Sequence, residues 1–160
     1  MDISDILTVI AIAASPISEL RGAIPIAVGV YDFRWYYAFL FGIIGNILPV
    51  PFILLFLNTV VRLLSKVHFF DRIMQWFFER TRKRGKIIDR YERIGLALFV
   101  AIPLPITGAW TGSILAVLLG LKFRHAMISI PVGVLIAAII VTCATVLGWA
   151  VADILAKPVD

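Results

Sequence analysis

Long apolar stretches dominate the chain, and two of them contain no charged residue. Residues 36–61 and 126–152 lack Asp, Glu, Lys and Arg. At a helical rise of about 1.5 Å per residue, each stretch is long enough to cross a hydrocarbon core about 30 Å thick. Pro49 and Pro51 lie inside the first stretch and predict a kink there. The pattern therefore predicts two membrane-spanning helices.

Two shorter apolar segments, separated by a polar break, precede each predicted span. The segments are residues 3–14 and 23–31 in the first half, and residues 94–102 and 109–121 in the second. The first of them reaches about half a bilayer as a helix. Each pair is open to two interpretations, because it can be one interrupted span or a hairpin that enters and leaves by the same face. A re-entrant hairpin requires protein or a water-filled cavity around its exposed backbone.

The two halves match in the order of their elements and in local detail. Gly22-Ala23 corresponds to Gly108-Ala109, and Phe33-Arg34 corresponds to Phe123-Arg124. The interval from Gly22 to Phe33 is 11 residues and that from Gly108 to Phe123 is 15. The sequence therefore predicts an internal repeat whose second half carries the longer arm, by about one helical turn.

A hairpin followed by one span crosses the membrane once, so two such halves must be inverted relative to each other. This predicts an all-α integral membrane protein, an inverted repeat of a re-entrant helical hairpin plus a transmembrane helix. An amphipathic cytoplasmic helix lies between the halves. The chain is predicted to be one membrane domain, residues 1–160, with repeats at 1–61 and 94–160 and a connector at 62–93.

Composition and charge agree with this picture. The chain is 61% hydrophobic and its mean hydropathy is +1.00. Its net charge of +5 comes from residues 62–93, which hold ten Lys and Arg against four acids. A basic connection between spans is typical of a cytoplasmic loop, so the sequence predicts a multi-pass protein of the cell (inner or plasma) membrane. The same placement of charge excludes nucleic acid as the partner.

Residues 62–80 are amphipathic, with an apolar stripe at helical spacing and a basic opposite face. They are predicted to form a helix that lies in the membrane interface or docks on the protein itself.

Glu19 and Arg21 are the most informative side chains, because ionisable groups flanked by apolar arms are costly and usually functional. They are predicted, with Gly22, to bind substrate or a proton; the structural alternative is an ion pair or cap at the hairpin tip. In the other break, Thr107 and Gly108 open a helix whose N–H groups can hold an anion, or form a tight packed turn. Asn46 is interpreted as a helix–helix hydrogen bond or a ligand contact.

Supporting roles are predicted for the prolines, aromatics and interfacial arginines near these breaks. Backbone geometry is assigned to the prolines, packing or cavity lining to the tryptophan, and headgroup contact to the arginines; the residues are Pro25, Pro103, Pro105, Trp110, Arg34 and Arg124. No metal, cofactor or nucleophile motif stands at useful spacing, so no enzyme is predicted.

Residues 19–25 (ELRGAIP) and 103–110 (PLPITGAW) together resemble the small multidrug export protein family. That family is similar to a branch of the DedA/VTT (SNARE-associated-like) superfamily. The resemblance implies two re-entrant hairpins with facing tips, and transport of polyprenyl-phosphate lipids with proton coupling. Glu19 matches the acidic residue that the superfamily uses in its first hairpin. Where the superfamily carries arginines in its second hairpin, this chain has Thr107, and Arg21 stands in the first.

The leading hypothesis is a proton-coupled membrane transporter that moves an amphipathic anion, such as a lipid phosphate, across the membrane. Membrane lipid is therefore an expected partner. Arg21 and the helix start at Thr107 and Gly108 would hold the anion, and Glu19 would carry the proton. The alternatives are a non-transporting scaffold or assembly factor acting through residues 62–80, and a small multidrug exporter. One chain of this size is small for a protein that encloses a transport pathway. A homodimer is therefore also a predicted arrangement.

Overall fold

The computed structural model describes residues 2–64, 85–104 and 107–156, and these residues fold entirely as helices and their connections. The helices, in chain order, are α1 (Ile3–Ala14), α2 (Glu19–Gly29), α3 (Trp35–Ile47), α4 (Val50–Leu64), α5 (Gly85–Ala101), α6 (Ala109–Leu118) and α7 (Phe123–Ala156). The all-α class is confirmed for this part of the chain. Residues 65–84 lie outside the described residues, and they include most of the predicted amphipathic helix and of the basic loop. Pro105 also lies outside the described residues.

Helix bounds follow the apolar pattern where a sequence break is sharp. α1 spans the predicted residues 3–14. Ser15, which follows its last residue, has an extended backbone and begins the turn before Pro16. α6 ends at Leu118, three residues earlier than predicted, because Gly120 takes a left-handed backbone with φ 70°. The N–H of Leu121 then donates to the carbonyl of Ala116 at 2.9 Å, which is the hydrogen bond of a Schellman helix end.

Two other helices begin earlier than the apolar pattern predicted. α2 begins at Glu19 rather than at residue 23, and α5 begins at Gly85 rather than at residue 94. Polar residues such as Lys86, Arg90 and Glu92 are good helix formers, so the α5 helix continues beyond its apolar part.

The two predicted spans are both present as apolar helical segments. Trp35–Val60 and Phe123–Ala152 are long and apolar enough to cross a membrane, and only 28% and 39% of their most apolar windows are buried. Large outward side chains such as Phe52 (69% exposed) and Leu147 (66% exposed) suit contact with lipid better than contact with water. The first of these segments is interrupted between Ile47 and Val50, where Pro49 has no N–H to donate, and the predicted kink stays a prediction.

The chain folds as two compact units, and each draws on both halves of the sequence. The first unit comprises Met1–Leu48 and Leu135–Asp160, and the second comprises Pro49–Val134. Each unit therefore contains one pair of short helices, the start of the span that follows that pair, and the end of the other span. We call α1 and α2 the first helix pair and α5 and α6 the second helix pair.

One close helix contact occurs in the same form in each unit. In the first unit, a Cβ atom added to Gly45 on α3 would lie 2.5 Å from the carbonyl oxygen of Ile10 and 2.7 Å from Cβ of Ala13. In the second unit, a Cβ added to Gly133 on α7 would lie 2.5 Å from the carbonyl oxygen of Ala97 and 2.7 Å from Cβ of Val100. Each span therefore meets the first helix of its own pair backbone to backbone, through a glycine.

The repeat register predicted from the sequence is wrong at the second break. The N–H of Gly22 donates to the carbonyl of Ser18 at 3.0 Å, and the N–H of Gly112 donates to that of Gly108 at 2.8 Å. Gly108 thus corresponds to Ser18, and Gly112 corresponds to Gly22. The interval from glycine to Phe33 or Phe123 is then 11 residues in both halves. The second arm is not longer, since α2 has 11 residues and α6 has 10.

Candidate functional site

A short turn between α1 and α2 places the first predicted site. The hydroxyl of Ser15 accepts the N–H of Ser18 at 3.2 Å, and the carbonyl of Ser15 accepts the N–H of Glu19 at 3.3 Å. Serine side chains commonly hold turns in this way, because their oxygen lies within reach of the following backbone. The turn delivers Glu19 to the first position of α2.

Glu19 combines three properties that are each unfavourable by themselves. Its residue is only 5% exposed, its side chain ionises, and its backbone lies in the left-handed region with φ 47°. A left-handed backbone costs a residue with a Cβ about 1–2 kcal/mol. Strained, buried and charged residues persist where the surrounding fold holds them in place, and they concentrate at functional positions. Glu19 is therefore the strongest candidate for chemistry in the first unit.

Arg21 forms an ion pair with Glu19. Its Nη2 atom lies 3.2 Å from Oε2 of Glu19, and the two side chains are 24% and 6% exposed. The carboxylate is therefore buried beneath a guanidinium that is more accessible.

The first turn of α2 departs from regular helix bonding. Pro25 stands inside α2 and has no N–H to donate to the carbonyl of Arg21, four residues earlier. Gly22, half-buried between them, adds no side chain to this turn. The ion pair thus lies on a helix turn in which Pro25 cannot donate a backbone hydrogen bond.

The second break is held by the hydroxyl of Thr107. This oxygen accepts the N–H of Leu104 at 3.1 Å and hydrogen bonds to the carbonyl of Ile102, while the N–H of Thr107 donates to the carbonyl of Leu104 at 3.1 Å. Pro103 lies half-buried within the same loop. Thr107 therefore closes the loop that leads into α6.

Gly108 is buried at the N-terminal end of α6, and its N–H donates to the hydroxyl of Thr111 at 3.0 Å. The side chain of the third helical residue thus accepts the N–H of the cap residue, an arrangement that is common at helix starts. The N–H of Thr107 thus donates within the loop, and the N–H of Gly108 donates to the first turn of α6. For these two groups the geometry favours the tight-turn interpretation; anion binding at this helix start stays a prediction.

The other predicted residues are divided between the two units. Arg34, Asn46 and the Glu19 turn belong to the first unit, while Trp110 and Arg124 belong to the second. Asn46 is 2% exposed on α3, and its side-chain oxygen has no hydrogen-bond partner among the described residues. Trp110 is half-buried, and Arg34 and Arg124 are exposed; their contact with headgroups stays a prediction. The predicted meeting of the two breaks stays a prediction.

Two polar residues that the sequence reasoning missed have defined positions. Thr111 caps α6, and a threonine three residues after a glycine break is a signal that could have predicted it. Thr142 is 6% exposed in α7, and its hydroxyl has no partner among the described residues. A hydroxyl in the middle of an apolar stretch was the available signal for Thr142. Within the described ranges, no three His, Cys, Asp or Glu side chains form a group that could hold a metal ion.

Residues 19–140 match the model of the family described as "Putative small multi-drug export protein". No curated protein and no solved structure matches the chain. The match begins at Glu19, directly after the turn at residues 15–18, and includes the whole of the second break. An export family and two apolar helices of spanning length together indicate a membrane protein. The chain belongs to the small multi-drug export protein family.

Proposed function

We propose that this protein is a proton-coupled transporter in which Glu19 binds the proton and Arg21 binds the substrate. The observation that carries the proposal is the buried, ion-paired Glu19 with a left-handed backbone at the break between two short apolar helices. A cap alone needs only a serine or an uncharged side chain. A buried ion pair is a costly way to finish a turn, so its presence supports a role that uses the charges.

The difference in exposure between the two side chains supports an order of events. An anionic headgroup binds Arg21, because the guanidinium is the accessible partner. The headgroup then competes with Glu19 for the same positive charge. A buried carboxylate that loses its counter-charge is costly, so Glu19 takes up a proton from water. When the anion leaves, Glu19 releases the proton and pairs with Arg21 again, which couples the two movements.

We propose an amphipathic anion as substrate, of which a polyprenyl phosphate or another lipid phosphate is the leading example. The accessible guanidinium supports the negative headgroup. The apolar outer surface of the spans, with Phe52 and Leu147 exposed, supports a substrate tail that stays in the lipid. The resemblance of residues 19–25 and 103–110 to the DedA/VTT superfamily points to the same class of substrate.

The proposed topology places the helix pairs as re-entrant hairpins in an inverted repeat. The lengths of α1 and α2, 12 and 11 residues, support this arrangement, because each reaches about half of a bilayer. The same glycine contact at Gly45 and Gly133 supports two related halves. Residues 62–93 then form the cytoplasmic connection, by their excess of basic residues. Paired interruptions in such a repeat are where transporters bind their substrates.

The family description favours a second candidate, export of small amphipathic drugs. Many such compounds are cations, and a cation would pair with the carboxylate of Glu19 rather than with Arg21. The two candidates therefore make opposite demands on the pair. Loss of the Arg21 charge should abolish anion transport, yet it should leave transport of a cation active or increase it.

The test is transport by the full chain reconstituted into liposomes, with a fluorescent polyprenyl phosphate analogue and the lipophilic cation ethidium as probes. Glu19→Gln and Arg21→Ala are compared with Asp32→Asn and Lys122→Gln, which change exposed charges in interhelical connections. We expect both site variants, and neither control, to lose analogue transport. Wild-type rates for every probe in both site variants would overturn the proposal. If deletion of residues 62–80 abolishes function while both site variants keep it, the scaffold alternative is favoured.

A further inference from the structure

A buried carboxamide oxygen on α3 lies at the level of the Glu19 turn. Gly42 marks where α3 meets α2, since a Cβ added there would lie 3.1 Å from side-chain atoms of both Leu20 and Ile24. Only a short connection joins α2 to α3, so the two helices run antiparallel. Asn46 is one turn beyond Gly42 on the same face of α3. It therefore lies one turn closer to the start of α2, where Glu19 stands.

The adjacent contact gives the same level from the other helix of the pair. Gly45, the residue before Asn46, meets α1 at Ile10 and Ala13, and α1 ends at Ala14. The end of α1 and the start of α2 are joined by the turn at residues 15–18. Asn46 is therefore level with that turn, with its carboxamide on the side of α3 that meets α2.

The second unit has apolar residues at both corresponding positions. Val134 follows Gly133 as Asn46 follows Gly45, and Ala109 begins α6 as Glu19 begins α2. Val134 is 1% exposed and Ala109 is fully buried. In the second unit, apolar side chains therefore fill these two positions. Among the described residues, the unit that contains the buried carboxyl group of Glu19 also contains the buried carboxamide of Asn46.

We infer that the side-chain oxygen of Asn46 accepts the hydrogen bond of protonated Glu19. The inference rests on the proposed function, because it assigns a partner to the proton-loaded state of that site. The ionised carboxylate only accepts hydrogen bonds, and Arg21 supplies one at 3.2 Å. Protonation turns one carboxyl oxygen into a donor, which needs an acceptor inside the protein. The oxygen of Asn46 is an acceptor with no hydrogen bond in the structure.

Asn46 is thus a positioning residue that makes the protonated state of Glu19 tolerable. In the ionised state, Glu19 pairs with Arg21, and the side-chain oxygen of Asn46 accepts no hydrogen bond from the described residues. In the protonated state, Arg21 is available for the substrate anion and Glu19 donates to Asn46. The proton comes from water and returns to water, and no other bond is made or broken.

Infrared spectroscopy of the reconstituted full chain tests this hydrogen bond directly. The carbonyl stretch of a protonated carboxyl group, recorded during acid titration, is assigned to Glu19 by its absence in Glu19→Gln. In Asn46→Val, which copies the second unit, we expect the stretch to move to higher wavenumber because the donor hydrogen bond is lost. Thr142→Val removes a hydroxyl that is the other buried polar group without a partner among the described residues of this unit, and it should leave the stretch unchanged. Asn46→Leu, closer in volume to Asn, serves as the second variant if Asn46→Val does not fold.

Transport measurements separate this inference from the proposed function. We expect Asn46→Val to lower analogue transport by about three- to tenfold, the effect of one ordinary hydrogen bond. An unchanged carbonyl stretch in both Asn46 variants overturns the inference, even where transport still requires Glu19. A shifted stretch in a protein that transports nothing supports the hydrogen bond and overturns the proposed function instead. If acid produces no stretch that depends on Glu19, both fail.

Discussion

Gly45 and Gly133 hold equivalent positions in two separate helix contacts. At each glycine, an added Cβ would lie 2.5 Å from a carbonyl oxygen of the opposing helix, Ile10 for Gly45 and Ala97 for Gly133. Real Cβ atoms do not approach a backbone oxygen so closely. The opposing group is rigid backbone in both cases, so neither contact can adjust by rotating a side chain.

Alanine at either glycine should therefore destabilise the protein. We expect Gly45→Ala and Gly133→Ala each to lower the free energy of unfolding by about 1–3 kcal/mol, the usual cost of overpacking a tight contact. Gly95→Ala and Gly148→Ala are matched controls, because a Cβ there meets nothing within 4 Å. Both controls should be neutral or stabilising by up to about 1 kcal/mol, since alanine favours helix. Thermal unfolding of the purified protein in detergent measures all four; wild-type stability for Gly45→Ala would contradict the contact.

These contacts show where the sequence was informative. The apolar run at 3–14 with Pro16 after it predicted α1, and Pro49 predicted the break between α3 and α4. Both signals are local, because proline acts through its own ring and missing N–H. Gly42 and Gly45 are small residues in an apolar stretch, a pattern typical of close helix contacts. What they contact depends on the fold, and this the sequence could not supply.

The register of the repeat was missed for an equally physical reason. Gly-Ala follows Arg21 and also follows Thr107, so matching identities pointed to Gly108. The correspondence is set instead by which carbonyl begins the helix, Ser18 in one half and Gly108 in the other. A helix start is a backbone property, and serine and glycine both serve there. The left-handed backbone of Glu19 left no trace in the sequence, because surrounding structure imposes it.

The strain at Glu19 gives a prediction that separates backbone from side chain. Glycine tolerates φ 47° and alanine does not. We expect Glu19→Gly to be more stable than Glu19→Ala by about 1 kcal/mol, although both lose the ion pair. Asp32, exposed with φ 51°, is the matched control, and Asp32→Gly should likewise exceed Asp32→Ala. Denaturation in detergent measures the two differences; equal stability within the Glu19 pair would mean that its backbone is unstrained.

Transport should distinguish the two left-handed residues. Glu19→Gly removes the carboxyl group that carries the proton, so we expect transport to be lost although the backbone is relaxed. Asp32→Gly lies in the exposed connection between α2 and α3 and should transport at the wild-type rate. Relief of backbone strain together with loss of activity is expected where a strained residue is kept for its function. Normal transport by Glu19→Gly would show that the strain serves another purpose.

The loop before α6 gives a prediction for Thr107. Thr107→Val keeps the shape of the side chain but removes the hydroxyl that bonds Leu104 and Ile102. We expect it to lower the free energy of unfolding by about 1–3 kcal/mol, since partners in the loop lose their hydrogen bond. Thr107→Ser keeps the hydroxyl and should be close to wild type. The turn interpretation predicts normal affinity for the anion in folded Thr107→Val, measured by saturation of transport; a large loss of affinity with full stability would favour an anion site.

The central claim is that Glu19 carries a proton together with a substrate anion held by Arg21. It is tested most directly by recording proton movement with a pH-sensitive dye inside liposomes that contain the full chain, on addition of the polyprenyl phosphate analogue. The account predicts a substrate-dependent proton flux in wild type and Asp32→Asn, and none in Glu19→Gln. A flux of wild-type size in Glu19→Gln would contradict it.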